Sequence, residues 1–420
     1  MTEVPDDLIP ESLLLDKPRL PMLLIDTDKT LEDFLTALSI SSEPVAIDAE
    51  RASGFRYGQS AYLLQVAIRA SGIYLIDPVA KYNNDLWQNF IALLGSKPWI
   101  IHAASQDLPC LTEMKIKPTK ILDTELAARL LGLPRVALGT LTENYLQIKL
   151  AKEHSAVDWS ERPLPANWLN YAALDVDVLF DLWDAIEKDL DVNGKKEIAE
   201  AEFSFLLEPT TKVPKVDKWR SMTGLHEVKD QRALTIAKFL WTAREALAVE
   251  KDLAPGRLIP DSSIVAAVKA NPKSRSELSS LRTFAGRASR SFIDTWWSAI
   301  EEGGATKNLV ELRLKSVGIP NHRNWPQKFP KAHARLLASK ELLSKLSEEA
   351  KIPQENILNP ELLRKICFEP PENISVDSVG KALASRGVRQ WQIDLVSSGL
   401  VETLNAQIEQ SKDPELDSTS

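Results

Sequence analysis

Apolar residues in this chain follow two periodicities, and the two occupy different stretches. Strand-type runs fall within the first 190 residues, at Pro44-Val45-Ala46-Ile47, 61–68, 73–76, 99–102 and Ile121-Leu122. Beyond Leu190 no comparable alternation returns, and apolar positions recur every three or four residues, the spacing of one helix face. A chain divided in this way builds a sheet first and helices afterwards. The first three strands follow one another closely, as an antiparallel meander does, with the polar, Gly-containing stretch 51–60 as a connection. The two later strands alternate with helical spacing at 84–94, 106–114 and 124–131, as parallel crossovers require. Helical spacing continues over 138–150 and 167–190. The expected fold class is a mixed α/β domain, its sheet flanked by helices, followed by two small all-α domains.

Length agrees, since 420 residues at about 150 per domain make roughly three units. Breaks in the pattern predict a leader at 1–20, the α/β domain at 21–208 and helical units at 209–303 and 331–410. Glu208-Pro209-Thr210-Thr211-Lys212-Val213-Pro214 marks the first boundary, because its prolines interrupt helical spacing on both sides. A linker is expected at 304–330, where Gly318, Pro320, Pro326 and Pro330 accumulate around Trp325 in a polar surround. The polar tail 411–420 is expected to be disordered.

Hydrophobic residues make up 44% and charged residues 26%, which is globular composition. No apolar run approaches 18 residues and the acidic start lacks the charge of a signal peptide, so neither export nor membrane contact is expected. Cys110 and Cys367 fall in different predicted domains, so neither a disulfide framework nor a thiolate metal site is expected, and a cytoplasmic location fits.

The net charge of −8 hides an uneven distribution. Residues 1–208 carry 19 Lys+Arg against 33 Asp+Glu, residues 209–345 carry 25 against 13, and residues 346–420 carry 7 against 13, giving −14, +12 and −6. A basic segment beside an acidic one suits a phosphate-gripping module next to carboxylates that hold cations. Lys212, Lys215, Lys218, Lys229 and Arg232 are the nucleic-acid candidates in it, whereas Trp219 and Trp241 are expected in helix cores.

Three acidic elements stand in order within the first domain. Asp48 and Glu50 flank Ala49 at a strand end, where the two-residue period puts both carboxylates on one side. Asp107 follows the strand 99–102 at a helix start, and Tyr171 and Asp175 are one helical turn apart. Each element alone is ordinary in a chain with 59 acidic residues. His102 ends a buried-type strand and is expected to support the site from behind, Asp123 is expected to cap a helix, and Phe55 and Gln65 either pack in the meander or touch a terminal nucleotide.

Taken together, the sequence resembles the DEDD exonucleases of ribonuclease H-like fold, in the subgroup with Tyr-x3-Asp that includes ribonuclease D. The resemblance rests on Val45-Ala46-Ile47-Asp48-Ala49-Glu50, His102-Ala103-Ala104-Ser105-Gln106-Asp107-Leu108, Asp158-Trp159-Ser160-Glu161-Arg162-Pro163-Leu164 and Tyr171-Ala172-Ala173-Leu174-Asp175. Trp219-Arg220, Trp241-Thr242-Ala243-Arg244-Glu245, Asp261 and Pro272-Lys273-Ser274 resemble an HRDC domain, the helical nucleic-acid-binding module that follows this nuclease, and 331–410 is expected to be a second HRDC-like helical domain. His154 departs from the Gln expected in many relatives. The resemblance implies that Asp48, Glu50, Asp107 and Asp175 hold two divalent cations and that Tyr171 positions the attacking water. Oxygen-only ligands select Mg²⁺ or Mn²⁺, and a pair of such ions about 3.5–4 Å apart stabilises attacking and leaving oxygens at phosphorus. The implied activity is removal of nucleoside monophosphates from RNA 3′ ends, tRNA precursors among them, with no obligate protein partner. The alternatives are a 3′–5′ exonuclease acting on DNA and a catalytically silent RNA-binding scaffold.

Overall fold

The computed structural model describes residues 12–151, 157–209, 217–313 and 318–409. The first domain contains β1 (Leu13–Leu15), β2 (Met22–Ile25), α1 (Asp28–Ile40), β3 (Val45–Arg51), β4 (Ala61–Ile68), β5 (Gly72–Ile76), α2 (Asn84–Gly95), β6 (Pro98–Ile101) and α3 (Ala104–Glu113). It continues with β7 (Lys120–Asp123), α4 (Thr124–Leu130), α5 (Leu138–Leu146), β8 (Ile148–Leu150), α6 (Ala166–Asp177), α7 (Leu179–Val192) and α8 (Lys196–Leu206). Six strands form one mixed sheet in the order β2-β5-β4-β3-β6-β7. The meander β3-β4-β5 is antiparallel, while β6 and β7 extend the sheet in parallel from β3.

The sheet is covered on both faces, which is why β4 is nearly continuous in apolar residues instead of alternating. Val45, Ile47 and Ala49 of β3 point into a core with Phe34, Phe90, Trp99 and Leu111, contributed in part by α1, α2 and α3. Ala46 of β3, with Leu63 and Ala67 of β4, faces the opposite core, where Ala172 and Val176 of α6 lie. Strand parity therefore sends Asp48 and Glu50 toward α6, the helix that carries Tyr171 and Asp175.

Local spacing misreads three places. The helical spacing of 138–150 gives only α5, because Gln147 turns left-handed (φ 56°) and Ile148–Leu150 pairs with β1, residues expected in a leader. Such a partner 135 residues away leaves no local trace. The stretch 167–190 is two helices, since Arg19 from before the sheet takes the Asp177 carboxylate and carbonyl and α6 stops there. Trp325, in its polar surround, is completely buried, tilted against Phe368 and donating its indole N–H to the Pro320 carbonyl (2.9 Å).

The second domain is all-helical, with α9 (Gln231–Lys251), α10 (Pro255–Leu258), α11 (Asp261–Ala270) and a helix at Ile293–Ala305 packed on α9. Gly303 permits that packing, because a Cβ there would sit 2.9 Å from the Ile236 Cα. Trp219 is buried in this core and Trp241 lies half-buried against it. The C-terminal region is also helical, from Trp325–Lys328 to Gln390–Glu409. Its apolar core runs on into the core of the first domain. At the junction the buried Glu202 of α8 receives two N–H groups of Arg389 (2.6 and 2.5 Å) and the Trp391 indole (2.8 Å). Among the described residues no helix is long and apolar enough to cross a membrane.

Candidate active site

The site forms where β3 and β6 end, beside α6, which lies across β3, β4 and β5. Carboxylate oxygens of Asp48, Glu50 and Asp175 lie within 4.8 Å of one another. Asp107, in the first turn of α3, lines the same cleft as these three. Its helix is set in an unusual way. Ala103 adopts a left-handed conformation (φ 58°) and α3 has no capping side chain of its own. The Asp123 carboxylate at the end of β7 instead accepts the N–H groups of Ala103 (3.1 Å) and Ala104 (2.9 Å), together with those of Glu125 (2.9 Å) and Leu126 (3.1 Å) in α4. One carboxylate thus caps two helices, where the sequence predicts one.

The four carboxylates surround a cleft of about 240 Å³ that Arg51, His102 and Gln106 also line. Burial and mutual repulsion hold them protonated far above the usual carboxylate range. Burial, then Asp48 and Asp175, push Glu50 up to about 9, and burial with Asp48 pushes Asp107 up to about 8. Asp48 and Asp175 are raised in the same direction, burial being the main cause for each. Left alone, so many acids in one buried cleft are electrostatically unfavourable, and a bound cation resolves the repulsion. Their oxygen-only donor set fits a hard divalent ion. Burial and the neighbouring Asp175 also raise the Tyr171 phenol, so it is a neutral hydrogen-bonding group at physiological pH.

Comparison with known proteins gives a consistent picture. The profile of a 3′-5′ exonuclease domain matches residues 22–191, that of an HRDC domain residues 233–300, and that of a 3′ to 5′ exonuclease C-terminal domain residues 318–404. Ribonuclease D from Bartonella henselae is 27% identical over 307 residues, 72% of this chain and 73% of that protein. The chain belongs to the ribonuclease D family. It also resembles the crystal structure of a protein from Bifidobacterium adolescentis, with 33% identity, a TM-score of 0.82, and 94% of this chain and 100% of that one covered. Escherichia coli RNase D shares the fold, with a TM-score of 0.65 at 23% identity over 92% of this chain and 99% of that one. The family's exonuclease fold implies use of a divalent metal, and the carboxylate cluster lies inside the matched exonuclease segment.

The nucleic-acid candidates are scattered more widely than the ribonuclease D carboxylates. His102 bonds Thr124 Oγ1 through Nδ1 (2.9 Å), and burial lowers it to about 4, so it is a neutral wall of the cleft. Gln65 pairs across the sheet with Asp48, is fully buried, and has no partner for either side-chain polar atom among the described residues. Phe55 lies under the guanidinium of Arg257 of the HRDC domain, 3.9 Å from its ring centre. Around it Ala254 N–H donates to the Phe55 carbonyl (2.9 Å) and Arg257 Nε to the Gly54 carbonyl (2.7 Å), so this ring is part of a seam between domains. Lys218 and Lys229 are exposed, whereas Arg232 binds the carbonyls of Gly303 (3.2 Å) and Thr306 and closes the end of the helix Ile293–Ala305. Lys212, Lys215, His154 and the tail 411–420 lie outside the described residues.

Two arginines have contacts to which the motifs assign no role. Arg162 is held by Asp77 through two bonds (2.6 and 2.7 Å) and donates to the Tyr62 and Trp159 carbonyls, fixing the segment that leads into α6. Eighty-five residues separate that pair, and no spacing rule finds it. Arg51 is the second, and it directly follows Glu50, the last residue of the stretch that marks the site.

Proposed function

We propose that this protein is a cytoplasmic, metal-dependent 3′–5′ exoribonuclease that releases nucleoside monophosphates from RNA 3′ ends, tRNA precursors among its substrates. The observation that carries this reading is the convergence of Asp48, Glu50, Asp107 and Asp175 on one cleft with Tyr171 on the same helix face as Asp175. These carboxylates would hold two Mg²⁺ or Mn²⁺ ions, which would supply Lewis acidity at the scissile phosphate and lower the pKa of the attacking water. Tyr171, kept neutral, orients that water through its phenol oxygen, while Asp123 fixes Asp107 and Arg162 fixes the approach to α6. RNA is favoured as substrate because the named curated relatives are ribonucleases and a basic HRDC domain packs against the loop that follows β3, at Gly54 and Phe55.

Matched single-stranded RNA and DNA of one sequence, digested in Mg²⁺ or Mn²⁺ with products resolved over time, test the reading. One-nucleotide shortening of the RNA from a free 3′ hydroxyl is expected. Equal or faster digestion of DNA would transfer the assignment to a DNA exonuclease, and binding without digestion of either would leave a scaffold.

A further inference from the structure

Arg51 brings the positive charge into the cleft. It ends β3 one residue after Glu50, and strand parity turns it to the face that α3 covers. A register irregularity with β4 falls between Glu50 and Arg51, at the point where the strand leaves the sheet. The guanidinium meets the first turn of α3. Nη1 donates to the Gln106 carbonyl at 2.9 Å, and Nη2 lies 3.4 Å from Asp107 Oδ1. The first contact is a good hydrogen bond. The second is longer than the roughly 2.7–2.9 Å of a tight charge-assisted one, and together they use a minority of the five N–H donors that an arginine has. Arg51 is also 27% exposed at its side chain, against 7% for Asp107. Other arginines of this domain are committed more fully: Arg69 pairs both ends of Asp184 (2.9 and 2.8 Å), and Arg162 makes bonds to Asp77 and three carbonyls.

Charge arithmetic gives this loosely held group a task. Four carboxylates balance two divalent ions, which leaves no compensation for the charge of an incoming phosphodiester. Among the described residues lining the cleft, Arg51 is the one side chain that carries positive charge at neutral pH, since His102 is neutral. A cation on Asp107 also takes the charge that holds Nη2 there. We propose that Arg51 is a substrate-binding residue that exchanges Asp107, when the cleft is loaded with metal, for a phosphate oxygen at the 3′ end of the RNA. The anchor at the Gln106 carbonyl keeps the head group at the rim during that exchange. This inference rests on the exoribonuclease reading, and it deepens it by assigning the phosphate contact to a residue of this chain.

The test uses the full chain and Arg51→Ala, Arg51→Lys and wild type. Mn²⁺ binding without RNA is measured by titration calorimetry. Binding of a short 3′-hydroxyl oligoribonucleotide is measured with Ca²⁺ in place of Mg²⁺, the oligomer being checked for integrity. Arg51→Ala should bind Mn²⁺ as tightly as wild type or a few-fold tighter, because a competing cation has left Asp107. It should bind the RNA end about 10- to 100-fold more weakly, as loss of a charge-assisted hydrogen bond does. In Mg²⁺ its KM should rise with kcat little changed, and Arg51→Lys should recover part of the affinity. Wild-type RNA affinity in Arg51→Ala would overturn the proposal. So would a joint loss of Mn²⁺ and RNA affinity, which marks a strap that only holds α3 in place; if Arg51→Ala fails to fold, Arg51→Lys and Arg51→Gln decide by the same two readouts. Digestion of RNA by wild type tests the exoribonuclease reading separately, so either can fail alone.

Discussion

Glu50 and Asp107 hold protons at neutral pH when no cation is bound, since burial and their acidic neighbours raise them to about 9 and about 8. Metal binding must expel those protons. Calorimetry of Mn²⁺ binding at pH 7, in buffers of different protonation enthalpy, is therefore expected to show net proton release and affinity that rises toward pH 9; no release would contradict the cluster. The same shifts fix a stability trend. Because the folded values lie above the unfolded ones of about 4, these two groups favour the metal-free fold fully below pH 4 and lose that contribution as pH rises through 8 and 9. Mn²⁺ should accordingly raise the melting temperature more at pH 8.5 than at pH 5.5, and an equal rise would count against the assignment. Tyr171 acts differently, through its phenol oxygen. Tyr171→Phe is expected to lower kcat about a hundredfold with Mn²⁺ affinity kept, measured by single-turnover cleavage beside titration.

Element by element, two helices owe their starting points to one residue. Asp123→Ala leaves four backbone N–H groups of α3 and α4 without their acceptor, and should cost about 2–4 kcal/mol, twice an ordinary N-cap, by urea denaturation. A loss under about 1 kcal/mol would show that water replaces it. This residue also shows what a sequence can and cannot disclose. Asp123-Thr124 announces the cap of α4, because that signal is local, but nothing nearby announces α3, which begins 19 residues earlier. The carboxylates of the site were legible for a related reason: strand period and helix turn fix which side chains share a face, and the order of three weak elements did the rest. Phe55, Arg232 and β8 were not, since their partners Arg257, Gly303 and β1 lie far off in the chain. Residues whose role depends on one distant contact carry no periodic signature.

The whole molecule is more tightly assembled than a string of modules. Arg389 of the C-terminal region answers the buried Glu202, and Lys195 donates to the carbonyls of Leu130 (2.7 Å) and Lys351 (2.9 Å). Removing one partner of such a buried pair costs about 3–5 kcal/mol, so Arg389→Ala should lower the urea midpoint of the nuclease itself, and an unchanged midpoint would mean that the two regions unfold separately. Cutting the chain near Glu208 would strip this cover, so the role of the basic segment is better tested in the intact protein. Segment 209–345 carries +12, and Lys218 and Lys229 present exposed charge from it. Changing both to Glu should weaken binding to structured RNA and flatten its salt dependence, which is about 0.7 per phosphate contacted on a log-log plot for single strands; an unchanged slope would make them ordinary surface. The account as a whole stands on the carboxylate cleft. Its most direct test is cleavage, in Mg²⁺ or Mn²⁺, of a linear RNA with a free 3′ hydroxyl and of the same RNA as a circle, by wild type and by folded Asp48→Ala. A one-nucleotide ladder from the linear RNA with wild type alone, and an intact circle throughout, is the predicted result; wild-type turnover by Asp48→Ala, or internal cuts in the circle, would contradict it.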